Sequence, residues 1–155
     1  MKLSASLLFL LLFESSRLIA AEIAIVSLED LDFGQVPPTV GTLRSRTAFC
    51  VALEPRGRYR IIATGDGAAA AFALRGATGV ASLAYRVFIT ERGRGRGTEV
   101  QANVPLTGLR GKEPGNNGRC RPPLGSIFVQ IDAAELQQAR PDRYRGVLSM
   151  TVVPE

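Results

Sequence analysis

Apolar and polar residues alternate with a period of two in several separate stretches of the chain, which is the pattern of β-strands buried on one face. Three central stretches show it most clearly, and each directs one row of side chains towards an expected core. These rows are Thr47, Phe49, Val51 and Leu53; Tyr59, Ile61 and Ala63; and Leu83, Tyr85, Val87 and Ile89. The pattern predicts several strands in the middle of the chain.

Further strands are expected on both sides of this region. Residues 22–28 alternate around Ile23 and Ile25, residues 71–74 form a short apolar run, and Ile127, Val129 and Ile131 share a face. Residues 144–152 form a half-buried strand, and the sequence ends at Glu155 soon after it. We therefore expect no later segment to cover a neighbouring strand edge.

A single short helix is predicted before the final strand. Asp132 is placed to cap its N-terminus, Glu135 lies three residues later as in a capping box, and Pro141 ends the helix. Gly and Pro turns separate the strands, and residues 93–117 are expected to form an exposed loop in which only residues 104–109 have strand character. Strands without long helices between them predict an antiparallel, all-β sandwich.

The first 21 residues have the composition of a secretory signal peptide. They begin with a positive charge, continue with an apolar run over residues 3–13 and end on small residues at Ala21. The run is shorter than the ~20 residues that a transmembrane helix needs. We expect residues 1–21 to be a removable signal peptide, and residues 22–155 to form one exported domain without a transmembrane segment.

The composition excludes several classes of chemistry. The chain contains no His, so imidazole catalysis and histidine-ligated metal sites are absent. No carboxylates have the spacing of a general acid and base, and no Ser or Thr has a base partner. Asp30 and Asp32 lack the further oxygen ligands of a calcium loop. We therefore expect no catalytic, cofactor-binding or metal-binding residues, and no enzyme.

The chain is basic, with a formal net charge of +5 at pH 7 and 17 arginines among its 19 basic residues. Arg92, Arg94 and Arg96 alternate with glycines. This pattern occurs in segments that bind nucleic acid, and arginine also binds the carboxylate or sulfate of anionic glycans. The segment is short, lacks aromatic residues and belongs to an exported chain, so we expect a solvated turn without nucleic acid and keep anion binding as the alternative.

Cys50 and Cys120 form an even pair that lies 70 positions apart. In an exported protein such a pair predicts a disulfide, which chain-entropy arguments value at about 4 kcal/mol for a loop of this length. The alternatives are two free buried thiols, or a reactive thiolate at Cys120 favoured by the neighbouring Arg119 and Arg121.

Five short segments resemble, in order, the spore coat protein U family, whose members are small secreted subunits of archaic chaperone-usher pili. The similar segments are Leu-Asp-Phe-Gly at 31–34, the cysteine-bearing strand at 47–51, Tyr-Arg-Ile at 59–61, Leu-Ala-Tyr-Arg-Val-Phe at 83–88, and the Tyr-led final strand at 144–152. Two features depart from the family pattern: few residues precede the 31–34 segment, and the turn at 141–143 differs.

The resemblance implies an immunoglobulin-like sandwich that lacks its last strand, so that a hydrophobic groove stays open beside the final strand. Leu148, Met150 and Val152 would line this donor-strand groove, although ordinary core packing explains their pattern equally well. In such pili a periplasmic chaperone fills the groove first. The N-terminal strand of the next subunit then replaces it by donor-strand complementation.

Ile23 and Ile25 lie in a strand that is either donated to a neighbouring subunit or kept as the domain's own first strand. A subunit that keeps it would accept a strand without passing one on, as suits a pilus tip. The sequence therefore predicts a structural or adhesive pilus subunit that crosses the periplasm to a fimbria on the cell surface, with a role in adhesion and biofilms.

The expected partners are a periplasmic pilus chaperone, an outer-membrane usher and neighbouring pilin subunits. The alternative function is a self-contained secreted sandwich that binds anionic glycan or nucleic acid through its arginine-rich loops.

Overall fold

A computed structural model describes residues 22–26, 28–36, 41–91, 95–115, 120–122 and 124–155 of the chain. The signal peptide predicted at residues 1–21 lies outside these ranges. The strands are β1 (Glu22–Val26), β2 (Leu43–Glu54), β3 (Arg58–Gly65), β4 (Ala73–Gly76), β5 (Ser82–Ala84), β6 (Arg86–Thr90), β7 (Thr98–Val100), β8 (Leu106–Arg110), β9 (Gly125–Ile131), β10 (Tyr144–Arg145) and β11 (Leu148–Pro154). A 3-10 turn covers Ala68–Ala70, and one helix, α1, covers Ala133–Gln138.

The strands form two main sheets and one small sheet. The larger sheet has the strand order β1-β2-β9-β6-β7, the smaller main sheet has the order β11-β3-β8, and the small sheet has the order β10-β4-β5. Their ladders are antiparallel throughout. The predicted all-β antiparallel sandwich with one short helix is therefore confirmed.

One apolar core joins the sheets, and the three predicted rows of side chains supply most of it. Every residue of the rows on β2 and β3 is buried, from Thr47 to Leu53 and from Tyr59 to Ala63. The large side chains that are almost completely enclosed are Phe49, Leu53, Ile61, Val87, Ile89, Ile127 and Ile131. Because burying each such side chain contributes about 1.5–3 kcal/mol, this cluster supplies the main driving force for folding.

The third row, Leu83 to Ile89, is buried as predicted, but it does not belong to one strand. The chain leaves the small sheet after β5, passes through Tyr85 and enters the larger sheet as β6. Tyr85 donates its backbone N–H to the Phe72 carbonyl at 3.0 Å, and the two rings stack with centroids 5.6 Å apart. The alternation continues across the break because both sheets face the same core.

The predicted final strand is also divided. β10 pairs with β4, residues 146 and 147 lie outside any strand, and β11 pairs with β3. A Cβ at Gly146 would lie 2.9 Å from the Leu74 Cδ2 atom and 3.0 Å from the Ala73 carbonyl oxygen. A larger residue would therefore require the Leu74 side chain and the Ala73 backbone to move, at the point where the chain changes sheets.

The helix forms where predicted, but the capping box does not. The Asp132 side chain makes no N-cap hydrogen bond and instead accepts one from Gln130 Nε2 at 2.6 Å. The Glu135 carboxylate accepts the backbone N–H of Ala84 at 3.2 Å, which joins α1 to β5. Glu135 thus makes a tertiary contact, and Asp132 bonds a residue two positions earlier in the chain instead of capping the helix.

The loop expected at residues 93–117 contains two strands. β8 confirms the strand character of residues 104–109. β7 was not predicted. It has only three residues, of which only Val100 is buried, and this is too short a stretch for alternation to indicate a strand.

A disulfide joins Cys50 and Cys120, as the even cysteine count predicts, and no free cysteine remains. Cys50 is buried in β2, and Cys120 precedes β9. The alternatives of two free thiols or a reactive cysteine are therefore wrong. Within the ranges given above, no helix is long and apolar enough to cross a bilayer.

Replacing both cysteines, Cys50→Ala with Cys120→Ala, should lower the free energy of unfolding by about 2–5 kcal/mol, because the unfolded chain regains the entropy that the 70-residue cross-link removes. Urea unfolding measures the loss. A reductant should destabilise the wild-type protein to a similar extent and leave the double variant unchanged. A double variant as stable as the oxidised wild type would contradict a stabilising role for the bond.

Candidate functional site

The outer edge of β11 is the main candidate site. β11 pairs with β3 over seven residues, from Leu148 opposite Gly65 to Pro154 opposite Tyr59. Its other edge pairs with no strand among the described residues. An edge strand directs alternate N–H and C=O groups outward, where another strand can bind them. We call this outer side of β11, with its inward side chains, the open edge.

The side chains behind the open edge are only partly covered. Leu148, Met150 and Val152 pack against the core but are half-buried, whereas Ser149 and Thr151, which face the other way, are exposed. Their neighbours on β3 are different: Ala63 lies opposite Met150, Ile61 lies opposite Val152, and both are fully buried. Burial therefore decreases sharply from the central strand to the edge.

The N-terminal segment provides a second group of half-buried apolar side chains. Ile23, Leu31 and Phe33 pack against the same core without being enclosed by it. The backbone N–H of Glu29 donates to the Thr47 Oγ1 atom at 3.2 Å, which attaches the segment to β2. β1 approaches β11 to within 8 Å between Cα atoms without pairing with it. The core thus lacks full cover on this side.

Exposed large apolar side chains occur in these two segments and elsewhere. Leu28 is 49% exposed, Ile25 and Val36 are more than a third exposed, and Val147, just before β11, is 61% exposed. Val80 and Val104, in other parts of the chain, are 78% and 48% exposed, so exposure of this kind does not by itself mark the site.

Ile23 and Ile25, predicted to lie in either a donated or a first strand, are paired within the chain. Ile23 faces Leu53 and Ile25 faces Val51 across the β1–β2 ladder. In this structure the N-terminal strand therefore pairs with β2 of the same chain, and whether it is kept or donated in assembly stays a prediction.

The exposed face of the larger sheet carries a charged cluster that the sequence analysis did not identify. Arg86 donates to both carboxylate oxygens of Glu99, at 2.8 and 2.6 Å, and these bonds hold the pKa of Glu99 below its ordinary value. Arg44 donates to Gln130 Oε1 at 2.7 Å and lies over the Phe128 ring. These groups are paired with one another, so the cluster presents no vacant recognition site.

The predicted anion-binding arginines are not brought together by any described contact. Arg92 and Arg94 lie outside the described residues, and Arg96 is exposed in the loop before β7. Anion binding by these three residues stays a prediction.

The acidic residues form no described metal centre. Asp32 Oδ1 accepts the backbone N–H of Gly34 at 2.8 Å in a local turn. Across the described ranges, no three His, Cys, Asp or Glu side chains lie close enough to hold a metal ion together.

Comparison with known proteins supports the fold. No family model matches the chain, and no curated protein does. A chain of a solved structure described as "Chaperone-tip adhesin complex is vital for synergistic activation of CFA/I fimbriae biogenesis" has a similar fold, with a TM-score of 0.59 and 15% sequence identity. The similarity covers 86% of this chain but only 42% of that one. At this level of identity the similarity is one of fold.

The open edge predicts an asymmetry in amide hydrogen exchange. In protein refolded without a partner and kept at low temperature, about half of the β11 amides should exchange rapidly, because alternate N–H groups of an edge strand point away from its neighbour. β9 is the internal control: it pairs with β2 and β6, so its amides should all be slow. Exchange followed by NMR measures this. Uniform protection along β11 would mean that its outer edge is covered.

Proposed function

We propose that this protein is an exported, non-enzymatic pilus subunit whose sandwich is completed when a strand from another chain pairs with the open edge. The observation that carries the proposal is the unpaired edge of β11 with the half-buried Leu148, Met150 and Val152 behind it. The similarity in fold to a chain of a fimbrial chaperone-adhesin complex supports the same function.

An added strand would stabilise the subunit in two ways. Its main chain would pair the outward N–H and C=O groups of β11, and its side chains would cover the apolar row behind them. Full burial of an aliphatic side chain contributes about 1.5–3 kcal/mol, so completing the burial of three half-buried ones contributes a few kcal/mol. This is a large fraction of the roughly 5–15 kcal/mol that stabilises a typical domain. We therefore expect the subunit to depend on a partner.

The proposed partners follow from this dependence. Residues 1–21 would direct export, a periplasmic chaperone would lend the first strand, and an outer-membrane usher would add the subunit to its neighbours on the cell surface. The segments that resemble the spore coat protein U family favour the archaic branch of these pili. The pairing of β1 with β2 favours a subunit that keeps its N-terminal strand, and hence a position at the tip.

Co-expression tests the proposal directly. The protein is produced in a bacterial periplasm alone and with the usher-pathway chaperone encoded nearest its gene. The soluble fraction is then analysed by size exclusion with mass determination. We expect a one-to-one complex with the chaperone, and degradation or aggregation without it. A monomer that unfolds cooperatively at high temperature, with or without the chaperone, would contradict the proposal.

Substitutions on the two faces of β11 distinguish a specific loss of binding to a partner strand from a general loss of folding. Met150→Asp places a charge behind the open edge and should weaken chaperone binding by about tenfold or more, since a loss of ~1.4 kcal/mol raises the Kd tenfold, and the yield of chaperone complex should fall. Thr151→Asp is the matched control, because Thr151 is adjacent but exposed. It should leave the yield near that of the wild type.

Met150→Ala extends the test to a variant without a buried charge. It should still fold and give an intermediate yield. Equal losses for Met150→Asp and Thr151→Asp would indicate that β11 tolerates no charge on either face, and would argue against a specific apolar groove.

A further inference from the structure

The sheet that contains the open edge has a second outer strand, β8, on the opposite side of β3. Within the ranges that the structure describes, β8 pairs with β3 and with no other strand. Strand order alone would therefore allow another chain to add a strand on either side of this sheet. The two edges differ, however, in how their outward backbone groups are used.

The backbone of Arg110, in β8, is directed away from β3. Arg110 lies opposite Arg58 in the ladder. The Arg58 carbonyl accepts the backbone N–H of Glu155, just after β11, at 2.9 Å, so the Arg58 backbone is directed towards β11. Directly opposite residues of an antiparallel pair either exchange hydrogen bonds with each other or direct their backbone groups apart. The Arg110 N–H therefore points outward from the β8 edge.

A carboxylate occupies this outward N–H. Glu91 accepts the backbone N–H of Arg110. Because Glu91 directly follows β6, its side chain joins the larger sheet to the edge of the smaller main sheet. A strand that paired with β8 would use the same N–H and would have to displace the carboxylate. Displacement is unfavourable, since hydrogen bonds to a carboxylate are among the stronger ones in proteins.

A bulge interrupts β8 next to this contact. The register of the β3–β8 ladder shifts between Tyr59 and Ile61, and on the β8 side Gly108 has a φ of +75°. The Gly108 N–H donates to the Glu155 carboxylate at 3.2 Å. Bulges and charged side chains are features that make an edge unsuitable for further pairing. The β11–β3 ladder, in contrast, keeps one register over seven residues.

The core is also better covered near β8 than near β11. Leu109 of β8 and Val100 of β7 are buried, and Leu106 is half-buried. The apolar row behind the open edge is half-buried throughout. Because apolar burial drives strand addition, a strand beside β8 would be stabilised less than one beside β11.

We infer that Glu91 is a specificity-determining residue for strand addition. Its carboxylate closes the β8 edge, so that a partner strand enters this sheet only beside β11. The inference rests on the proposed function, because it concerns which of two edges receives the partner. A sheet with two receptive edges could bind two strands and branch, whereas one receptive edge keeps an assembly linear.

Amide exchange at Arg110, followed by NMR, tests the contact in the full chain, either refolded alone or bound to its chaperone. The Arg110 amide of the wild type should exchange slowly although it lies at an edge. Glu91→Ala should accelerate its exchange by about tenfold or more, because a hydrogen bond to a charged group is lost. Glu91→Gln keeps an acceptor oxygen and should have a smaller effect. Equal exchange in wild type and Glu91→Ala would overturn the inference.

The mass of the chaperone complex, measured by sedimentation velocity, tests the closure. In this complex the open edge is occupied, and β8 is the remaining outer strand of the described sheet. The wild type and Glu91→Gln should stay one-to-one as the concentration rises. Glu91→Ala should associate towards a two-to-two complex through paired β8 strands, while slow exchange of the β9 amides shows that it is folded.

Glu113→Ala is the matched control for the lost charge. The Glu113 carboxylate lies 3.9 Å from Arg56 in an exposed ion pair, so its removal changes the net charge equally. This variant should stay one-to-one and keep the Arg110 amide slow. A one-to-one mass for Glu91→Ala, or equal association of Glu113→Ala, would overturn closure by Glu91.

The inference and the proposed function fail in different ways. If the chaperone does not bind, acceptance of a strand at β11 is contradicted, and exchange at Arg110 and the mass of the free Glu91→Ala variant still test closure. If the complex forms and Glu91→Ala stays one-to-one, the proposed function stands and the assignment of Glu91 is wrong.

Discussion

The constraint on which the rest of the structure depends is the position of β11 at the edge of its sheet. The sheet β11-β3-β8 and the small sheet β10-β4-β5 pack on the same core as the five-stranded sheet, and among the described residues β11 pairs only with β3. The central strand β3 is fully enclosed at Ile61 and Ala63, and its neighbour β11 leaves Leu148, Met150 and Val152 half-buried. This half-buried row, together with the outward backbone groups of β11, makes another chain's strand a fitting partner.

The two sides of β3 offer different chemistry. On the side of β11, unpaired backbone groups and apolar side chains favour another strand, which contributes through hydrogen bonds and burial. On the side of β8, Arg58 and Arg110 face each other in the ladder, and both are exposed. The disulfide at Cys50 joins β2 to the chain before β9.

The alternation of apolar and polar residues correctly predicted the strands that form the core, but it did not predict where those strands end. The rows at Phe49, Ile61 and Ile127 are buried as alternation predicts, and the cysteine pair forms its bond. The breaks at Tyr85 and Gly146 were not predicted, because the alternation of side chains persists when a chain passes between sheets around one core. The same limit applies to Asp132 and Glu135, whose spacing predicts a cap but whose carboxylates bind Gln130 and Ala84 instead.

The sequence by itself determined which side chains face the core and which cysteines pair, because a period of two and a pair of thiols are properties of the chain alone. Only the tertiary structure decided that β11 lies at an edge, that β1 pairs with β2, and that Arg58 faces Arg110. Strand order and register depend on contacts between residues distant in the chain, and no local pattern encodes them. The open edge arises from that order.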